Sequence, residues 1–108
     1  MTDRELADKV VALGVGYTIP KTAILGKEWG FPDSNETTYD PSAFVRDWRV
    51  AGALMEKCQK VYVEYIGEPE QTVYARAENN RTWDWPAGEN LPRLIIEACC
   101  VALGDADA

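Results

Sequence analysis

The chain contains no histidine, and this absence removes more chemistry than any motif supplies. Ser-His and Cys-His nucleophilic pairs are excluded, the commonest general base is missing, and mixed cysteine–histidine zinc sites are ruled out. Cysteine is scarce as well. Cys58, Cys99 and Cys100 are odd in number and the last two are adjacent, which suits neither a disulfide framework nor a four-thiolate metal site. They read as small hydrophobes within helices. No apolar run approaches the ~18 residues of a membrane span. The opening MTDRELADKV lacks the apolar centre of a signal peptide, so a cytoplasmic protein without membrane contact is expected. In that setting the glycosylation sequons Asn35-Glu36-Thr37 and Asn80-Arg81-Thr82 have no consequence.

Positive charge is also short. Eighteen acidic residues against 11 basic ones leave a net charge of −7. That disfavours nucleic acid, where a basic patch supplies most of the affinity. It is compatible with simple solubility or with a steered encounter with a basic protein surface. A phosphate-cradling loop is missing too, because Gly14-Val15-Gly16 follows a helical pattern instead of opening one. Asp33, Asn35 and Glu36 lack the twelve-residue calcium spacing. No metal or cofactor is expected. Carboxylate-pair hydrolysis through Glu64 or Asp84 is the one enzymatic option the composition leaves, and no catalytic signature marks it.

What is present reads as a single domain over 1–108. A capping box, Thr2-Asp3-Arg4-Glu5, starts a helix over about 3–13 with Leu6, Val10 and Leu13 on one face and Gly14 as its stop. Residues 14–39 are expected as a loop, given Gly26, Gly30, Pro32 and the Asp33-Ser34-Asn35 turn cluster. Its apolar Ile24, Leu25, Trp29 and Phe31 either pack on the core or serve in binding. Asp40 and Pro41 open a helix over about 41–59, where Phe44, Trp48, Ala51, Met55 and Cys58 form a continuous core stripe. VYVEYI and TVYARA alternate with period two around Gly67-Glu68-Pro69-Glu70, predicting hairpin strands over about 60–66 and 71–77. After a turn at Asn79-Asn80, Trp83-Asp84-Trp85 predicts a third strand over 82–85. Asn90 and Pro92 start a last helix over about 91–103, which Gly104 is expected to stop before a tail at 104–108. The fold class is α+β: a small antiparallel sheet of about three strands covered by three amphipathic helices, with an α-β-α layered sandwich as the candidate architecture.

The helix opened by Asp40-Pro41-Ser42 and carrying Trp48, the Tyr/Val hairpin, and the closing LPRLIIEACCVALG with Leu91-Pro92, Ile95 and Ala98 together resemble the small bacteriophage proteins of the phage ABA-sandwich domain family. The resemblance spans nearly the whole chain and consists of helix-packing patterns. It implies a phage-encoded cytoplasmic accessory protein of layered fold, and it carries no activity and no functional residue with it. The Asp40-Pro41 helix start departs from the Ser/Thr-Asp cap of that family.

Four tryptophans and five tyrosines are many for this length. Trp83 and Trp85 share one strand face, and Tyr62 and Tyr74 are expected near them with Arg76 and Arg81 at hand. Such a surface is either sheet packing beneath a helix or an anchor patch, since Trp, Tyr and Arg dominate binding hot spots. Candidate binding residues are therefore Tyr62, Tyr74, Arg76, Arg81, Trp83, Trp85 and, from the loop, Trp29. The leading expectation is a non-catalytic protein that binds a basic host protein, in its specific form an inhibitor of a host defence complex by charge mimicry. A nucleotide binder or sponge using aromatic stacking with an arginine, and a structural or self-assembling protein forming homo-oligomers, are the alternatives.

Overall fold

The computed structural model describes residues 1–24, 26–66, 72–78, 82–85 and 90–106, with the backbone alone for 65, 66, 72–75, 82–85, 105 and 106. The fold is α+β. Helix α1 (Asp3–Ala12) leads to strands β1 (Tyr17–Pro20), β2 (Lys27–Gly30) and β3 (Thr37–Thr38). Helices α2 (Pro41–Phe44) and α3 (Trp48–Lys57) follow, then strands β4 (Lys60–Ile66), β5 (Thr72–Glu78) and β6 (Thr82–Trp85), and finally α4 (Leu91–Ala106). The strands form two antiparallel three-stranded meanders, β1-β2-β3 and β4-β5-β6.

Local chemistry sets the helix starts. Thr2 Oγ1 accepts the Glu5 amide at 3.1 Å, the forward half of the expected capping box. Leu6, Ala7 and Val10 are buried along α1, and Gly14 at φ +89° ends it in the left-handed conformation that glycine reaches without steric cost. Asn90 Oδ1 accepts the Arg93 amide at 3.0 Å and caps α4. That helix continues through Gly104 instead of stopping there. Nothing crowds Gly104, and a glycine inside a helix costs only about 1 kcal/mol against alanine.

Three expectations fail for identifiable reasons. The segment expected as a loop folds into the first meander. Lys21 N–H donates to Gly26 O and Gly26 N–H to Thr22 O, both at 2.8 Å, closing a turn in which Gly26 takes φ +74°. A second turn passes through Asp33 at φ 54°, with Phe31 N–H donating to Glu36 O at 3.1 Å. The two turns bring together strands too short to show alternation. The expected helix over 41–59 is broken as well: α2 ends at Phe44, and Asp47 caps α3 anew by accepting the Arg49 amide at 2.8 Å. The break rotates the helix face. Phe44, Val45, Val50, Ala51 and Leu54 are buried, while Trp48, placed in the core stripe by the sequence, is 55% exposed. Met55 and Cys58 pack at the core's edge.

The layering also differs from helix–sheet–helix. Helix α4 packs on β5 and β6 on one side and on α3 and α1 on the other, so it is the central element. No other described helix packs extensively on the second sheet. The core runs along α4 through Leu94, Ile95, Ile96, Ala98, Cys99, Ala102 and Leu103. Each such large side chain removed from water contributes roughly 1.5–3 kcal/mol. Trp29 and Phe31 close the core from the first meander, so those two aromatics of the expected loop are packed.

Candidate functional site

The second sheet carries most of the residues the sequence singled out, and its register sorts them. Tyr62 pairs with Arg76, and Arg76 with Asp84. Glu64 pairs with Tyr74. Trp83 instead pairs with Ala77, and Trp85 with Ala75. Directly opposed residues in an antiparallel pair share a face, and neighbours along a strand alternate. The Tyr62–Arg76–Asp84 row and the Trp83–Ala77–Val61 row therefore belong to alternate sets. Ala77 is fully buried, whereas Tyr62 is 51% exposed and Arg76 is exposed. By register the five residues expected on one surface thus divide, and of those whose side chains are described the outer row holds Tyr62 and Arg76. Arg81, the hairpin loop at 67–70 and the Asn79-Asn80 turn lie outside the described residues.

Trp29, the seventh candidate, lies elsewhere. Its register partners are Thr18 and Thr38 in the first meander, and it is 1% exposed. The Arg4 guanidinium and the Lys27 ammonium stand 5.9 and 5.2 Å from its ring centroid, so two cations lie between the indole and water. Its Nε1–H has no acceptor. It is a core residue and shares no surface with Tyr62.

Electrostatics give the surface its sign. No polar or charged residue is buried among the described residues, so all described ionic groups sit at or near the surface. Lys21, Lys27, Arg46, Arg49 and Arg93 are engaged in ion pairs with acidic side chains. Asp3 is the central acceptor, at 2.7 Å from both Arg46 and Arg93, and Arg93 also reaches Glu97 at 2.6 Å. The hydrogen bonds from Arg46 and then Arg93 hold the Asp3 carboxyl down at about 2. Arg49 bridges Asp47 and Glu36 and lies 4.2 Å over the Phe31 ring; its two carboxylate hydrogen bonds raise its pKa further. Among the described residues Glu5, Asp33, Asp40, Glu56 and Glu64 have no ion-pair partner, and neither do Arg4, Lys9, Lys57 and Lys60, so the acidic balance comes from the net charge and not from the pairing. Sequence composition hinted at this acidity, but not at which cations are consumed.

Two other places bring together groups with chemical potential. A cleft of about 500 Å³ lies between the turn Gly14–Tyr17, Pro32-Asp33 and the end of α3, with Asp33, Glu56 and Lys57 on its walls. Two carboxylates against one ammonium disfavour a phosphate there. The thiols of Cys58 and Cys99 share a hydrogen bond, which lowers Cys58 and, together with burial, raises Cys99. Burial pushes Cys100 up to about 12. The raised, buried thiols of Cys99 and Cys100 are inert as nucleophiles at neutral pH. No group of three or more metal-ligating side chains occurs among the described residues, and no described helix is long and apolar enough to cross a membrane. No family model matches the chain, and neither the curated proteins nor the solved structures contain a significant match.

Proposed function

We propose that this chain is a non-catalytic binding protein that docks an acidic, aromatic-bearing surface onto a basic protein. The observation that carries this reading is the outer row of the second sheet. Tyr62 is half exposed there beside the exposed Glu64, and no described helix packs extensively over it. A tyrosine presents a large rigid contact area with a polar tip, which is what binding anchors use. The net charge of −7 adds long-range attraction to a cationic surface.

A specific form rests on the sequence resemblance alone: a phage-encoded protein acting in the host cytoplasm on a host defence complex, its acidity standing in for nucleic-acid phosphates. Immobilised protein incubated with bacterial lysate at low salt is expected to retain a basic partner that elutes as ionic strength rises. Retention is expected to fall roughly tenfold or more when Tyr62 is replaced by alanine, as for a hot-spot anchor. Capture that ignores both salt and Tyr62 sinks the proposal.

A second reading has one observation of its own. Tyr62 and Arg76 are direct cross-strand partners, a spacing that suits a stacked base beside a guanidinium-held phosphate. Stabilisation by nucleotides in a thermal-shift series, abolished by Tyr62→Ala, would favour this reading over protein docking.

A further inference from the structure

We propose that β4 is a self-pairing edge, joining two copies of this chain about a twofold axis at Tyr62 into one continuous six-stranded sheet. The inference stands on the edge itself and does not depend on the binding partner proposed above. Edge strands expose unpaired amides and carbonyls, and proteins usually blunt them by shortness, charged side chains, proline, bulges or a covering element. The other described edges are blunted in this way: β1 ends in Pro20, β3 has two residues and β6 has four. Of these devices strand β4 carries only charge, Lys60 and Glu64, whose opposite signs repel a foreign strand less than they suit the strand's own antiparallel copy. It runs for seven residues without proline, pairs one-to-one with β5 from Lys60↔Glu78 to Ile66↔Thr72, and therefore contains no bulge. Its other side meets no strand among the described residues. Helix α4 lies against β5 and β6 and makes no extensive contact with β4, so no described helix covers the edge.

Residues 60–64 also select their own partner. Val61 is half-buried, while Lys60, Tyr62, Val63 and Glu64 are exposed, so both faces of this strand offer side chains for cross-strand contact. An antiparallel strand pairing with its own copy must be centred on a residue, because only then do opposed side chains share a face. Centred on Tyr62, Lys60 of one protomer faces Glu64 of its partner, Val61 faces Val63, and each of these pairs occurs twice around a central Tyr62–Tyr62 contact. Centring on Val61 or Val63 breaks both charge pairs. Lys60 and Glu64 have no ion-pair partner among the described residues, so they are available to each other across the seam. A single-strand seam buries less surface than a standard interface, so the dimer is expected to be weak and concentration-dependent.

Sedimentation velocity on the full chain from about 5 to about 500 µM tests this, a range suited to a small interface. The expected result is a monomer–dimer equilibrium that resolves within the series. Lys60→Glu alone and Glu64→Lys alone each place like charges opposite one another twice, and each is expected to weaken dimerisation roughly tenfold. The double swap K60E/E64K restores the pairs and the affinity. An equimolar mixture of the two single variants is expected to form a heterodimer tighter than either homodimer, because its charges are complementary at both positions. Both substituted positions, Lys60 and Glu64, are exposed, and circular dichroism confirms that the variants fold. A monomer throughout the series overturns the proposal, and so does a dimer indifferent to all the charge exchanges.

Discussion

In the first meander Trp29 is 1% exposed, whereas in the second Tyr62 is 51% exposed, although both are aromatic residues of short antiparallel strands. The difference lies in what surrounds each sheet. The first meander contacts α2, and the Arg4 and Lys27 side chains close over the indole. Among the described residues the second is backed by α4 on one face only, and β4, as long as the central β5, is its edge. Strand type is therefore no guide to whether an aromatic serves the core or the surface. Coverage by neighbouring elements decides it.

The largest test of that contrast is Trp29→Ala, expected to cost about 3–5 kcal/mol in urea unfolding. A loss near that of a surface substitution would mean that Trp29 is no more committed to the core than Tyr62. The next effect comes from the turn feeding the first meander. Gly16 sits at φ +72°, and a β-carbon there would stand 2.5 Å from the Gly30 carbonyl oxygen. Gly16→Ala is expected to cost about 2–3 kcal/mol. Gly26→Ala, equally left-handed at φ +74° but with open space around it, should lose only about 1 kcal/mol, and thermal melts of the pair separate steric from conformational cost.

Asp3 tests how the two regions are joined, since it binds Arg46 beside the first meander's helix and Arg93 on the helix backing the second. Asp3→Asn is expected to cost about 1 kcal/mol at neutral pH, the upper range for partly exposed pairs. Because the folded carboxyl is depressed from 3.8 to about 2, its contribution is complete above the unfolded value and disappears as pH falls through the folded one. Wild type and Asp3→Asn should therefore converge in stability between pH 3.8 and about 2 in acid titrations. The smallest effects belong to Tyr62→Ala and Trp48→Ala, each within about 0.5 kcal/mol at low protein concentration. A larger loss at Tyr62 would show that its row is covered after all.

Much of this was legible in the chain. The caps at Thr2, Asp40 and Asn90 act where they were expected, because capping is a local hydrogen bond that needs no tertiary partner. The period-two runs at 60–66 and 82–85 became strands with those bounds. Asp47 could have been read as a cap too. It accepts from Arg49 by the same local rule, but the apolar spacing around it looked like one uninterrupted helix. The first meander left no such trace, since strands of four and two residues are too short to display a period. For the candidate site, alternation along each strand was readable, but the pairing of Trp83 with Ala77 was not, and that register divides the aromatic residues between two faces.

The sequence by itself determined the helix starts, the second hairpin, the acidic balance and the lack of histidine chemistry, all of them properties of composition or of residues within a few positions of one another. Tertiary structure alone decided that Trp29 is core, that Trp48 is surface and that β4 is an edge uncovered among the described residues. Those outcomes depend on which distant segment arrives to cover a residue, and coverage is set by the packing of α4 and the short helices around it, not by the local pattern.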